Sequence, residues 1–100
     1  MEVEFSDPSY DRLETDRSFT HDFPAPVVSS YRMCLQLLRA ATDEADLASM
    51  RMLDLRPLGN PSALHSIRLT DAYVLMLELK ACSRGCVLWI VGVQPSSTVP

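Results

Sequence analysis

"HSIRLTDAYVLMLEL", residues 65–79, decides how the rest of the chain must fold. His65, Ile67 and Leu69 alternate with Ser66 and Arg68, the two-residue period of a β-strand with two distinct faces. Thr70-Asp71 is a turn signal, and a nearly unbroken apolar run follows from Ala72 to Leu79. Two strands joined so closely form an antiparallel hairpin. Further on, "ACSRG" (81–85) is a second turn and "CVLWIVGV" (86–93) a further strand, which makes a meander. That last strand is apolar in both phases, so it belongs at the centre of a sheet or under helices. "QPSSTVP" (94–100) reads as a frayed tail. Before the hairpin, "LDLR" (53–56) alternates like a strand and "PLGNPS" (57–62) is a turn.

Towards the N-terminus the period changes. Val27, Tyr31, Cys34, Leu35 and Leu38 follow three- and four-residue steps, one apolar stripe of a helix that starts at Pro26 and ends at Ala41-Thr42. Arg32 and Arg39 lie beside the stripe, where they most simply solvate the helix. Thr42 or Asp43 caps a following helix, "DEADLASMRM", whose acidic first turn suits the helix dipole. Earlier still, "EVEF" (2–5) alternates as a short strand. Ser6 or Asp7 then caps a short helix with Pro8 at its start and Tyr10 and Leu13 on it. "THDFPAP" is a linker. The order β-α-α-α-β-β-β-β predicts an α+β two-layer domain over residues 1–93, its N-terminal helices packed on an antiparallel sheet, with 94–100 as a tail.

Composition narrows the function classes. The chain has 100 residues, 47% of them apolar, enough for one core. No apolar run approaches the roughly 20 residues of a membrane helix. The acidic start lacks a basic-then-apolar leader, so neither a secretory signal nor a membrane partner is expected, and a cytoplasmic location is. Net charge is −4, and it is uneven: residues 1–22 hold seven acids against two arginines, the remainder six acids against seven basic residues. Such a chain lacks the basic footprint of a general nucleic-acid binder. Eight of the nine basic residues are arginine, which suits bidentate phosphate or carboxylate contacts as well as a GC-rich coding sequence. Three cysteines, Cys34, Cys82 and Cys86, argue against a disulfide framework. Cys82 and Cys86 flank a turn and could bridge under oxidation. Neither His21 nor His65 has finger spacing to them, so no metal is expected.

The hairpin and the element order resemble the HigB-like (plasmid maintenance killer) branch of the RelE/ParE toxin superfamily. Members read like "LKG…YSIRINDQWRI" before an apolar strand and a terminal "DYH". Here Leu58-Gly59 precedes His65-Ser66-Ile67-Arg68-Leu69-Thr70-Asp71-Ala72-Tyr73-Val74-Leu75 at similar spacing. "YRMCLQLLRAATDEADLASMRML" is similar to the family's helical pair, and the resemblance extends from residue 1 to about 93. It implies a RelE-like fold and a ribosome-associated mRNA endonuclease that needs no metal or other cofactor and is held inactive by a co-encoded helix-turn-helix antitoxin. Basic groups would stabilise the scissile phosphate, and a histidine, tyrosine or acid would move the protons.

By that resemblance Arg68 is the phosphate clamp, with an exposed strand arginine paired to Asp71 or Glu78 as the alternative. His65 is the candidate proton donor or acceptor, or a histidine packed at a sheet edge, as its phase with Ile67 and Leu69 favours. Tyr73 could stack on a base or fill a core slot. Arg56 stands near the family's lysine position and is the second candidate RNA contact. The chain departs from the pattern elsewhere: Leu58 replaces the lysine, Val74 the second arginine, Tyr73 the tryptophan, and Pro95-Ser96-Ser97 the terminal "DYH". Two functions follow as expectations: a toxin endoribonuclease with weakened catalysis, or a non-catalytic toxin-fold protein that binds an antitoxin.

Overall fold

β5 (Gly85–Pro95) is hydrogen-bonded along both edges in the computed structural model of the chain. Residues 2–21, 23–42, 44–50, 55–57, 64–82 and 85–96 are described, with backbone alone at 44, 48, 57, 81, 82, 85 and 86. β1 (Glu2–Phe5) leads into α1 (Pro8–Thr15), α2 (Ala25–Ala40) and α3 (Glu44–Ser49). The chain continues as β2 (Arg56–Pro57), β3 (Leu64–Arg68), β4 (Tyr73–Cys82) and β5. The sheet order is β1-β5-β4-β3-β2. The α+β class and element order agree with the sequence reading. Among the described residues no helix is long and apolar enough to cross a membrane.

The sheet is mixed, where a wholly antiparallel one was expected: β1 runs parallel to β5, with Val3 opposite Leu88 and Phe5 opposite Ile90. β2 to β5 form the expected meander. β1 reaches its neighbour through a helical excursion instead of a hairpin, so no tight turn forces the antiparallel direction. Glu2 and Glu4 are exposed on this edge strand and discourage further pairing.

Helices cover one face of the sheet. The predicted stripe of α2, Val27, Tyr31, Cys34, Leu35 and Leu38, is buried in one cluster with Leu13, Leu47, Ile67, Leu75, Leu77, Leu88, Ile90 and Val93. Burying each such side chain contributes roughly 1.5–3 kcal/mol. The Tyr31 hydroxyl donates to the Tyr10 carbonyl at 2.8 Å, which satisfies the one polar group on this stripe. The other face carries Ser66, Val74, Met76 and Val87, also buried but outside that cluster.

A bulge reconciles β5 with the helix face. Met76 lies opposite Gly92 and Leu77 opposite Ile90, so Val91 is an extra residue. The extra residue changes the phase, and Leu88, Ile90 and Val93 can all join the helix-side core. Ser6 secures the junction, its N–H donating to Ile90 O at 2.9 Å and its hydroxyl to Val91 O at 2.7 Å. Gly92 has φ 156°, and a Cβ there would lie 2.8 Å from Tyr10 Oη.

Caps and tethers finish the frame. Asp7 caps α1 by accepting from the Ser9 N–H at 2.8 Å. Arg32, expected merely to solvate α2, staples the end of α1. Its Nε donates to Leu13 O at 3.0 Å and its Nη2 to Asp16 O at 2.9 Å, with longer bonds to Arg17 O and Phe19 O. Arg39 likewise grips Glu14 with two bonds of 2.7 Å. The tail is partly held: Gln94 and Pro95 continue β5, and Ser96 bonds to the Ala72 and Asp71 carbonyls. Residues 94–96 are therefore held, because the hairpin turn offers carbonyls to them, and 97–100 lie outside the described residues. Leu55 precedes β2 instead of belonging to it, and α3 ends at Ser49. Residues 51–54, the Leu58-Gly59 motif and most of "PLGNPS" lie outside the described residues.

Two substitutions test this frame. Gly92→Ala should lower unfolding free energy by about 2–3 kcal/mol, since it combines a strained backbone with the Tyr10 clash, measured by urea titration. Arg32→Lys should lose about 2 kcal/mol despite keeping the charge, because an ammonium cannot reach the same set of carbonyls; an unchanged urea midpoint would show that the staple does not stabilise the fold.

Candidate functional site

β3 carries two of the predicted site residues, and its pleat sends them apart. Side chains alternate across a strand, so His65 and Arg68, three residues apart, project to opposite faces. His65 lies opposite Leu77, in phase with the helix-covered Ile67, and is half-buried. Arg68 lies opposite Val74 on the other face, its side chain 68% exposed.

The other two candidates divide in the same way. Tyr73 shares the helix face with Leu75 and Leu77, half-buried against the core. Its ring meets Phe23 edge-on, with centroids 5.6 Å apart. This is the packing role, and the ring is not presented beside Arg68. Arg56 lies opposite Ser66 and therefore on the Arg68 face. Strand geometry puts such diagonal neighbours about 7–8 Å apart at the backbone. The fold thus groups Arg56 with Arg68, and His65 with Tyr73.

Arg68 has little to hold it. Its nearest carboxylate, Asp71, is 3.8 Å away and fully exposed, a long pair that solvent screens. From the end of β3 the residue also borders a cleft of about 230 Å3 on the helix side, between α2, through Ser30, Met33, Cys34 and Leu37, and Ile67 of β3 with Leu69 just beyond it. Cys34 is buried there, and the loss of solvation pushes its thiol up to about 12. A second groove, between α1 and α2, is lined by Arg17, Arg32 and Arg39, but Arg32 and Arg39 are already engaged with carbonyls and with Glu14.

His21 lies in the "THDFPAP" linker. It has φ 53° and stacks between Tyr10 and Phe23, with centroids at 5.2 and 5.1 Å and planes 16° apart in both cases. Its Nε2 lies 3.1 Å from Ser9 Oγ. The sequence signal was the spacing of Phe19, His21 and Phe23, since histidine tolerates the left-handed region better than most residues. Ser9 and His21 resemble a nucleophile and its base, but the two backbone donors at Ser9 and Tyr10 are already engaged. The nearby Ser9 N–H donates to Asp7, and the Tyr10 N–H to the Asp7 carbonyl. The cluster is an aromatic strut from α1 to Phe23 and on to Tyr73.

Among the described residues no group of three or more His, Cys, Asp or Glu converges as metal ligands would. The register sets Cys86 opposite Ala81 and Cys82 opposite Gly85, so the two cysteines are not cross-strand partners. Their side chains, and with them the possible bridge, lie outside the described residues.

Burial of Cys34 and Tyr31 has a measurable consequence. Both groups are raised in the folded chain, chiefly by desolvation. The unfolded chain therefore releases their protons first, and stability should fall as pH rises above about 9. The native Cys34 thiolate is therefore scarcer than that of the unfolded chain. In a Cys82→Ser, Cys86→Ser background a disulfide reagent should modify Cys34 readily only in denaturant; fast native labelling would contradict this burial.

No family model matches the chain, and neither a curated protein nor a solved structure matches it.

Proposed function

We propose that this chain is a HigB-like member of the RelE/ParE toxin superfamily that acts in the cytoplasm as a non-catalytic, antitoxin-binding module. The resemblance of the "HSIRLTDAYVL" hairpin supports the family, and the element order agrees with the RelE-like layout that the resemblance implies. The observation that carries the non-catalytic reading is the parity of β3. Arg68 and His65, the phosphate clamp and the proton-transfer group, stand on opposite faces. Phosphodiester cleavage needs both kinds of group at one phosphate. Losing a single electrostatic stabiliser costs about a hundredfold or more in rate, and the second arginine, the lysine and the terminal acid-tyrosine-histidine are replaced as well. Net charge of −4 opposes docking on a ribosome or mRNA.

One observation favours the second reading, a weakened endoribonuclease: Arg56 and Arg68 share a face and could hold a phosphate together. The two readings part on expression in cells. Induced wild type and Arg68→Ala should leave growth and transcripts equally intact, while the product of an adjacent helix-turn-helix gene co-purifies with the chain. Growth arrest and transcript cleavage by the wild type alone would replace the binding module with the nuclease.

A further inference from the structure

Met33 is the one large hydrophobic side chain exposed among the described residues, at 51%. It lies on α2 beside the cleft that Arg68 borders, with Leu37 next to it and Ile67 and Leu69 on the opposite wall. A flexible thioether beside an unfilled apolar cleft is a feature of adaptable binding surfaces.

We propose that this cleft is a docking site for a protein segment carrying an apolar side chain next to a carboxylate, the side chain entering between Met33, Leu37 and Ile67 and the carboxylate meeting Arg68. The proposal rests on the protein-binding reading above and names the surface and the chemistry of the partner. Size is the first argument. About 230 Å3 is smaller than the roughly 300–1,000 Å3 of small-molecule pockets and suits one or two side chains.

Charge is the second argument. The Arg68 guanidinium is exposed and only loosely matched by a fully exposed Asp71, so a partner carboxylate can displace that contact and form a bidentate pair. The lining favours protein over RNA. Among the described residues no aromatic ring lines the cleft for a base to stack on, and the walls are mainly apolar.

The test uses the full chain, labelled with 15N, and an acetylated five-residue peptide alternating glutamate and leucine. Saturable amide shifts are expected at Met33, Leu37, Ile67, Arg68 and Leu69. Met33→Asp and Arg68→Glu should each weaken binding by roughly tenfold or more, and Arg17→Glu, in the other groove, should leave it unchanged. Absent or scattered shifts, or equal binding by the cleft variants, would overturn the proposal. So would displacement of the peptide by oligouridine, which would make RNA the occupant. A concentration-dependent dimer broken by Met33→Asp would make it a second copy. Co-purification of the adjacent gene's product separates this from the earlier reading. A partner held equally by the wild type and both cleft variants leaves that reading standing and removes the cleft.

Discussion

The double pairing of β5 is the constraint on which the other elements depend. From Val87 to Ile90 its backbone is paired with β1 on one side and β4 on the other, so this stretch can be buried with its amides satisfied. Its side chains then have to serve two faces, and a strict two-residue period could not put Leu88, Ile90 and Val93 under the helices together. The extra residue at Val91 changes the phase, and Gly92 makes room for the Tyr10 ring. Tyr10 in turn receives the Tyr31 hydroxyl on its carbonyl and stacks on His21, so α1, α2 and the linker take their positions from this one irregularity.

The acidic first segment finds part of its counter-charge within the molecule. Glu14 is gripped by Arg39, and Asp16 pairs with Arg12 one turn away. The carbonyls at the end of α1 are taken by Arg32. Arginine is the residue suited to these positions, because its planar fork meets several acceptors at once where lysine offers a point charge. Two of the eight arginines are thereby accounted for by the joint between α1 and α2, with no appeal to an external anion.

At the β3 end of the sheet the geometry bears directly on function. A strand displays neighbouring residues on alternate faces, and a motif read along the chain can be divided by the fold it specifies. Arg68 keeps company with Arg56 across β2, while His65 and Tyr73 turn toward the helices. What remains beside Arg68 is an apolar cleft, a setting better matched to a protein segment than to a phosphodiester in mid-reaction.

Local chemistry was enough to read much of the architecture from the residues themselves. The stripe from Val27 to Leu38, the cap at Asp7 with Pro8, the Thr70-Asp71 turn and the two-faced apolar run of β5 each depend on near neighbours, and each has its expected place. The phase of His65 with Ile67 likewise foretold its half-buried position. Other features were decided only when distant segments met. The parallel pairing of β1 with β5, the bulge at Val91, the staple from Arg32 to α1 and the stack around His21 join residues far apart in the chain. No local period records which carbonyls a guanidinium will reach or which ring will lie over a glycine. The candidate site divides along the same line. Its residue types were legible in the hairpin, whereas the cleft beside Arg68 exists because the fold brings Met33 and Leu37 of α2 to face Ile67 and Leu69, residues far apart in the chain.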